Sequence, residues 1–360
     1  MKVSHVSETI HGGIATYLNE IVPKQLLEKS YEISLLIPEN QTDCISFNAD
    51  TMTFKRPKRG LRCLFSLFMS YKRLLKKNKP DIVHIHSSFA GIVVRLYHFF
   101  VSKNKPILIY CAHGWSFSMT TGSLSKVIYV LIERFLSNYT DSIICISKFE
   151  KNLALMNGLP EDKLKVIYNS LSSQVPKPEK VDVQIDPGNL NFLFVGRFHE
   201  AKGFDFLPDI FNELGSNYQL YVAGGARLDN EYDHEVPANV TKLSWLNQGQ
   251  LQYIYESIDA VIIPSRWEGF GYVAIEAMRS GKPALVSKNG ALPELIENDV
   301  NGVIFELSCS SIIEAIKKVD KQKLQCYGSE GYKMFIDNFE SGINYKILKE
   351  LYERLGYEKK

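Results

Sequence analysis

The 360-residue sequence has no apolar run long enough to cross a bilayer, which takes about 20 residues. Its longest apolar stretch, from Gly91 to Ser102, is interrupted by Arg95 and His98. The first residues also lack the apolar core of a secretory signal peptide. These absences predict a cytoplasmic protein, either free or peripheral on the inner face of the cell membrane.

Cysteine motifs are missing too. The six cysteines (44, 63, 111, 145, 309 and 326) include no Cys-x-x-Cys pair, which favours reduced thiols over disulfides or a zinc site. With 45% hydrophobic and 23% charged residues, the composition is that of a globular protein, and the length suits two domains.

Acidic residues are absent between Asp50 and Asp81, where ten Lys and Arg residues stand. Residues 1–180 hold 24 basic and 14 acidic side chains, and residues 181–360 hold 18 and 26. Apolar residues recur at near-helical spacing within the basic segment 55–79. This segment either lies on an anionic membrane surface or packs its apolar stripe on the core. It carries no nucleic-acid-binding motif, so no nucleic-acid partner is predicted.

Short apolar runs alternate with helical patterns along the whole chain. The predicted strands are Val3–Val6, Ile33–Ile37, Ile82–Ile85, Ile107–Cys111, Ile143–Ile146, Val166–Tyr168, Phe192–Val195, Leu220–Ala223, Lys242–Leu243, Ala260–Ile263, Ala284–Val286 and Val303–Phe305. The predicted helices are Ala15–Leu27, Leu61–Lys77, Phe89–Ser102, Ser123–Leu136, Lys148–Asn157, Phe204–Leu214, Gln250–Tyr255, Tyr272–Arg279 and Tyr345–Leu355. This alternation is typical of βαβ units and parallel sheets.

The predicted fold class is therefore α/β, with two Rossmann-like, doubly wound domains facing a central cleft. Residues 1–172 form the first domain, and a Pro- and Ser-containing linker spans 173–189. Residues 190–338 form the second domain. A C-terminal helix within 339–360 is expected to pack back on the first domain.

The segment after strand Ala260–Ile263 is the most informative in the chain. Glu268, Gly269, Phe270 and Gly271 stand in a loop before a helix that contains Glu276. A strand end followed by a helix N-terminus is where α/β proteins bind phosphates, because unpaired N–H groups point there. The two carboxylates add acceptors for sugar hydroxyls. The pattern indicates a nucleotide-sugar site.

A second loop opens the second domain. Gly196 ends a buried strand, Arg197 and Lys202 follow, and Gly203 starts the next helix. Two cations so placed can both reach a diphosphate, whose charge grows as the nucleotide departs. The alternative is a solvated loop with ordinary charges.

Three features in the first half of the chain are weaker indications of a ligand site. Gly12 and Gly13 follow the first strand and form either a ligand-binding loop or only a tight turn. His113 follows a later strand and either projects towards a ligand or is structural. His84 and His86 have His-x-His spacing, but no acidic cluster stands beside them. They are interpreted as strand-end packing or a substrate-edge contact, with metal binding as the alternative.

A glycoside hydrolase pair is a poor interpretation of Glu268 and Glu276. Eight residues along a helix span about 12 Å, whereas hydrolase carboxylates lie about 5–9.5 Å apart. Two separate sugar-binding roles fit better.

Taken together, these motifs resemble family 4 of the retaining GT-B glycosyltransferases. The matching segments are Gly196–Gly203, Glu268–Glu276, Gly281–Pro283, Gly290–Glu294 and Asn301–Val303, with looser matches at Gly12–Gly13, Asp81–His86, His113–Gly114, Ile146–Lys148 and Val166–Ser170. Ser170 and Ala291 stand where the family commonly has glycine.

The resemblance implies transfer of a sugar from a nucleotide-diphosphate sugar with retention, without a metal or other cofactor. UDP-sugar is the first choice of donor and GDP-sugar the second. The expected acceptor is a saccharide or a lipid-linked one, and the basic segment 55–79 suggests a lipid-linked or membrane-proximal acceptor, as in capsule, exopolysaccharide or cell-envelope synthesis. The first domain would bind this acceptor.

The resemblance also implies roles for single residues. Arg197 and Lys202 would hold the diphosphate, Glu276 the ribose and Glu268 the sugar hydroxyls. Backbone groups at Gly269, Phe270 and Gly271 would bind sugar or phosphate, with Gly196 in the donor loop. His113 would contact the donor sugar, and Gly13 would meet the diphosphate or acceptor. The expected catalytic residues are His113, Glu268, Arg197 and Lys202.

Two other functions remain as alternatives. One is a catalytically silent subunit that binds a sugar nucleotide, and the other is a nucleotide-sugar epimerase.

Overall fold

The computed structural model describes residues 1–56, 60–101, 105–118, 122–225 and 236–359. Lys58 and Arg59 of the basic segment, and Ser102 of a predicted helix, lie outside these ranges. The chain forms two compact units, Met1–Ser170 with Ser341–Lys360, and Leu171–Glu340. The segment 173–189, predicted as a linker, is counted in the second unit.

The first unit is built on a seven-stranded sheet in which every neighbouring pair is parallel. Its strands are β1 (Lys2–Ser7), β2 (Glu32–Pro38), β3 (Asp50–Phe54), β4 (Ile82–His86), β5 (Ile107–Cys111), β6 (Ser142–Cys145) and β7 (Leu164–Val166). Their order across the sheet is β3-β2-β1-β4-β5-β6-β7.

The second unit has a six-stranded parallel sheet. Its strands are β8 (Leu190–Arg197), β9 (Tyr218–Gly225), β10 (Val240–Ser244), β11 (Ala260–Ile263), β12 (Ala284–Ser287) and β13 (Gly302–Phe305), in the order β10-β9-β8-β11-β12-β13. The predicted α/β class with two Rossmann-like sheets is confirmed.

Helices connect the strands in both units, as parallel pairing requires. Those of the first unit are α1 (Gly13–Leu27), α2 (Leu61–Asn78), α3 (Ser88–Phe100), α4 (Ser123–Ser137), α5 (Lys148–Met156) and the last helix of the chain, α11 (Ser341–Glu358). Those of the second unit are α6 (Leu207–Leu214), α7 (Gln248–Ser257), α8 (Tyr272–Arg279), α9 (Cys309–Lys317) and α10 (Lys321–Asn338).

Three element predictions were wrong in part. Strand β3 was missed, because this edge strand reads Asp-Thr-Met-Thr-Phe and buries only Phe54 fully. The helix predicted from Phe204 begins as a 3₁₀ turn, and α6 starts at Leu207 with Pro208 in its first turn. The strand predicted at 166–168 ends at Val166.

Helix α2 shows which way the basic segment faces. Cys63, Leu67, Tyr71 and Leu74 are buried in the core of the first unit. The apolar stripe of the segment is thus partly covered by the protein itself, although Leu61 and Phe65 remain 86% and 66% exposed. This arrangement favours the interpretation of α2 as a surface helix packed on the core.

The strand order shows where each sheet has a switch point, at which the carboxyl ends of its strands form a binding edge. In the first sheet the order reverses between β1 and β4, and in the second between β8 and β11. Loops that leave adjacent strands in opposite directions open a crevice at such a point, where open α/β sheets bind ligands. Of the predicted residues, Arg197 ends β8, and Gly13, Lys202 and Glu268 follow β1, β8 and β11.

Candidate functional site

The two loops at the β8–β11 switch point of the second unit meet through an ion pair. Lys202 Nζ lies 2.5 Å from Glu268 Oε1, with exposed side-chain fractions of 28% and 12%. The Ser265 hydroxyl donates to the same carboxylate oxygen at 3.1 Å. The structure therefore brings two predicted site residues together, although sequence reasoning gave them separate roles.

Glycine packing holds these loops against each other. Gly203 has φ 70°, and a Cβ there would lie 1.8 Å from the backbone oxygen of Pro264. The Arg266 amide donates to the Ala201 carbonyl at 2.9 Å. Only glycine permits this approach, so Gly203 fixes where Lys202 points.

A third loop, which contains Gly290 and Ala291, packs against the backbone of Glu268. Gly290 has φ 66°, and a Cβ there would lie 2.2 Å from the Glu268 backbone oxygen. The Ala291 amide donates to that oxygen at 3.0 Å, and Ala291 is buried. The alanine that departs from the family pattern is thus accommodated in the loop.

Arg266 is a supporting residue that sequence reasoning missed. Its guanidinium makes two hydrogen bonds to the Asp205 carboxylate, at 2.7 and 2.6 Å, and lies over the ring of Phe206. These hydrogen bonds hold the pKa of Asp205 below its usual value. The pair joins the loop after β11 to the turn before α6, and no motif in the sequence signals it.

Arg197 ends β8 with an exposed side chain. Within the described ranges it makes no side-chain hydrogen bond or ion pair. The neighbouring Gly196 has φ 156°. A Cβ at Gly224 would lie 1.8 Å from the Gly196 oxygen, which makes Gly224 a second residue that the sequence did not reveal.

Glu276 lies in the second turn of α8 and is held by another element. The Tyr255 hydroxyl of α7 donates to Glu276 Oε2 at 3.1 Å. Burial raises the pKa of Glu276, while this hydrogen bond and the charge of Arg279 oppose the rise. Within the described structure, no hydrogen bond or ion pair links Glu276 to Lys202 or Glu268. Tyr255 was missed because it reads as one more core aromatic.

The residues between the two glutamates shape the start of α8. Phe270 is buried, and its ring centroid lies 5.7 Å from that of Tyr272. Gly271 caps the helix with φ 106°. A Cβ there would lie 2.8 Å from Leu292. The backbone at Gly269 and Gly271 thus leads directly into the N-terminus of α8.

The first unit presents Gly12, Gly13 and His113 at the carboxyl edge of its sheet. Gly12 caps α1 with φ 61°, and a Cβ there would touch nothing within 4 Å. Glycine is therefore needed for the backbone angle and not for space. His113 also has a positive φ, 52°, which is uncommon for a residue other than glycine.

His113 belongs to a buried cluster of histidines. His86 Nδ1 lies 2.9 Å from His113 Nε2, and His5 Nδ1 lies 3.0 Å from His86 Nε2. Nitrogens of His5, His84 and His86 all lie within 4.8 Å of one another. Burial lowers the pKa of His113 to about 3. Because the ring nitrogens of His5 and His86 bond each other, the arrangement favours packing over metal binding.

None of the helices within the described ranges is both long enough and apolar enough to cross a membrane.

Known structures identify the fold. The crystal structure of Anabaena HepE with UDP and glucose superposes with a TM-score of 0.78 at 19% identity, covering 98% of this chain and 100% of that one. With two Rossmann-like parallel sheets, the protein has the GT-B fold of glycosyltransferases.

Sequence comparison then identifies the family. Residues 11–174 match the model described as Glycosyltransferase Family 4, and residues 177–338 match Glycosyl transferases group 1. The chain belongs to family 4 of the glycosyltransferases, and the prediction of a glycosyltransferase is confirmed.

Two relatives are similar over most of their length. A protein of Klebsiella pneumoniae, named as an uncharacterized 41.2 kDa protein in the cps region, is 33% identical over 84% of this chain and 86% of its own. The UDP-Gal:alpha-D-GlcNAc-diphosphoundecaprenol alpha-1,3-galactosyltransferase of Escherichia coli is 26% identical over 82% of this chain and 79% of its own.

Proposed function

We propose that the protein transfers a sugar, with retention, from a UDP-sugar to a lipid-linked saccharide during assembly of a cell-surface polysaccharide. GDP-sugar is the second choice of donor. The observation that carries the proposal is the β8–β11 switch point, where exposed Arg197 ends β8 and the Lys202–Glu268 pair joins the loops that follow β8 and β11. The name of the Escherichia coli relative supports both the UDP-sugar and the diphospholipid acceptor.

The donor diphosphate would bind at the two cations. Arg197 supplies a planar fork and Lys202 a point charge, and both act most strongly when the leaving oxygen gains charge. Glu268 keeps Lys202 in place before the donor arrives and then accepts hydrogen bonds from the hydroxyls of the transferred sugar. These two cations take the place of a metal ion in the proposal.

The nucleoside half would lie along α8. Glu276 accepts the ribose hydroxyls, and the hydrogen bond from Tyr255 keeps the carboxylate oriented. Backbone groups at Gly269, Phe270 and Gly271 face the phosphate or the sugar at the helix N-terminus. Gly13 has the equivalent position in the first unit, at the start of α1.

Retention would proceed on one face of the sugar. The acceptor oxygen bonds to the anomeric carbon as the bond from that carbon to the phosphate oxygen breaks, and the acceptor proton passes to the departing phosphate. A double displacement needs a free carboxylate nucleophile. Glu268 and Glu276 each have a partner already, which supports the single-face route.

A lipid-linked acceptor calls for a membrane-facing surface, and α4 supplies a better one than the basic segment. Its exposed residues include Leu124, Val127, Ile128, Leu131 and Phe135, a stripe at helical spacing. We define these five residues as the α4 stripe. It is the surface that we assign to an anionic lipid bilayer, at the inner face of the cell membrane.

The charges of α4 fit an anionic bilayer. The one acidic residue of the helix, Glu133, is buried, and its carboxylate lies 2.9 Å from Arg95 Nη2. Arg134 is exposed beside the stripe. An apolar stripe flanked by cations and free of acids is the pattern of a helix that lies in a membrane interface.

Incubation of the purified chain with radiolabelled UDP-sugars and a synthetic diphospholipid saccharide tests this function. We expect labelled lipid product with the donor's anomeric configuration, formed equally well in a chelator. Donor binding without transfer would indicate a silent binding subunit, and interconversion of donors without acceptor would indicate an epimerase. Either outcome would overturn the proposal.

A further inference from the structure

A chain of hydrogen bonds runs from α1 to the carboxyl edge of the first sheet. It starts at Gln25, whose amide oxygen lies 2.7 Å from His5 Nε2. It continues from His5 Nδ1 to His86 Nε2 at 3.0 Å, and from His86 Nδ1 to His113 Nε2 at 2.9 Å. We call Gln25, His5, His86 and His113 the histidine relay.

The folded core explains why these residues meet. β1 and β4 are parallel neighbours at the switch point, and Ser7 pairs with His86. His86 in turn pairs with Cys111 of β5, two residues before His113. The ring of Tyr17, from α1, lies 5.4 Å from that of His86 and 4.9 Å from that of His113.

The relay has a direction, because a neutral imidazole has one N–H donor and one acceptor nitrogen. The Gln25 oxygen only accepts, so His5 must carry its proton on Nε2. His5 Nδ1 then accepts from His86 Nε2, and His86 Nδ1 accepts from His113 Nε2. Three successive tautomers are therefore set by one glutamine.

Burial keeps the relay neutral. It lowers the pKa of His5 to about 4, and it holds the pKa of His86 well below the usual histidine value. A charged imidazolium would have two donors and no acceptor, which would break the chain. The proton positions assigned above thus apply at neutral pH.

The far end of the relay is an acceptor without a partner. His113 Nδ1 is buried and has no hydrogen-bond partner within the described structure. His84 Nδ1, by contrast, is outside the relay and lies 2.6 Å from the Tyr352 hydroxyl. A buried acceptor left unpaired is costly, and a hydroxyl that reaches it would remove the cost.

We propose that Gln25, His5 and His86 are positioning residues that fix His113 as its Nε2–H tautomer, so that Nδ1 accepts a hydrogen bond from a sugar hydroxyl of the substrate. This inference rests on the proposed function for the identity of the hydroxyl. The tautomers themselves do not depend on it. Reversal of the chain would put a proton on Nδ1 and turn the acceptor into a donor.

The experiment is ¹⁵N NMR of the full chain with labelled histidine rings, assigned by single His→Asn variants. We expect His5, His86 and His113 each to carry the proton on Nε2 at neutral pH. Protonation of His113 at Nδ1 would overturn the proposal, whatever the enzyme transfers. Stoichiometric zinc on the ring nitrogens of His5, His84 and His86 would overturn it as well.

Variants of Gln25 test whether this residue sets the tautomers of the relay. Gln25→Met removes the acceptor, so we expect the His113 tautomer to become mixed and kcat to fall roughly 10- to 100-fold with little change in KM. Gln25→Glu puts a carboxylate beside His5 and favours the doubly protonated ring, so we expect the chain to reverse and the His113 proton to move to Nδ1. Gln252→Met, a buried glutamine of the second unit, controls for lost packing. An unchanged tautomer in Gln25→Met would contradict the relay, and Gln25→Glu decides the matter if that variant does not fold.

Discussion

At the scale of single residues, Arg197 carries the clearest prediction. Its exposed guanidinium ends β8, and the proposed function gives it the diphosphate. Arg197→Ala should lower kcat by roughly 10²- to 10³-fold, the usual cost of losing one preplaced donor to transition-state charge. Steady-state transfer of radiolabelled sugar measures this.

Lys333→Ala is the matched control, because it removes another exposed cation of the same unit, one that pairs with Glu330 a turn earlier on the same helix. We expect the control to keep its rate. A near-normal rate for Arg197→Ala would mean that the diphosphate does not bind at the β8 loop.

The ion pair of Lys202 and Glu268 marks how far single residues can be predicted. The spacing of each motif indicated phosphate and sugar contacts. The sequence did not show that the two side chains meet, because 66 residues separate them and only the sheet order brings their loops together. Tyr255 and Arg266 were missed for the same reason, since each acts through a partner in another element.

At the scale of elements, the packing of the β8 and β11 loops gives a second prediction. Gly203→Ala puts a methyl group into the Pro264 carbonyl at a positive φ, and should lower the free energy of unfolding by about 2–4 kcal/mol. It should also weaken donor binding, because Lys202 shifts. Denaturant unfolding and donor titration measure the two effects.

Gly281→Ala separates clash from backbone strain. Gly281 has φ 68°, close to the 70° of Gly203, but a Cβ there would meet nothing within 4 Å. We expect it to cost only about 1 kcal/mol. Equal losses in the two variants would mean that the contact with Pro264 has no energetic weight.

The hydrophobic pattern of the sequence predicted some strands and helices better than others. Buried parallel strands are continuous apolar runs, so Ile107–Cys111 and Ala260–Ile263 were predicted to the residue. Edge strand β3 has no such run. Helical periodicity likewise revealed α2 and α4, but it cannot tell a stripe that faces the core from one that faces outward. The sequence therefore left open whether the basic segment faces a membrane or the core, and in the structure Leu67 and Leu74 of its stripe are buried.

The α4 stripe gives a third prediction. Changing Ile128 and Leu131 together to Gln should weaken partitioning onto anionic vesicles by roughly 10- to 100-fold, because two exposed aliphatic side chains would no longer enter the lipid. Their exposure also predicts an unchanged melting temperature. Vesicle sedimentation and thermal unfolding check both statements.

Leu27→Gln is the control, since Leu27 is 84% exposed on α1, outside the stripe. It should partition like the unaltered protein. Equal binding by the double variant would mean that α4 does not face the membrane.

At the scale of the whole molecule, charge divides with the fold. The first unit contains 27 basic and 16 acidic residues, and the second contains 15 and 24. Attraction to an anionic surface thus belongs to the unit that carries the α4 stripe, and it is screened by salt over about 10 Å at 0.1 M. In the part of the chain that the structure describes, the neutral buried histidines belong to the same unit.

This confinement predicts which unit acid destabilises first. Burial lowers the pKa of His5 and His98 to about 4 and of His113 to about 3. A histidine of the unfolded chain has a pKa near 6.5. Below that pH the unfolded chain therefore binds protons that the folded first unit does not bind. Its stability therefore falls as pH falls through this window, by about 2 kcal/mol per histidine at pH 5.

The second unit should resist the same change. Its carboxylates with lowered pKa values, Asp205 and Asp299, lose their stabilising effect only below about pH 4. Tryptophan fluorescence separates the units, because Trp115 is in the first, whereas Trp245 and Trp267 are in the second. Trp115→Phe reports the second unit, and the Trp245→Phe, Trp267→Phe double variant reports the first. Between pH 7 and pH 5 only the Trp115 transition should move to lower denaturant, and equal movement of both transitions would show that the histidines of the first unit are not what acid titrates.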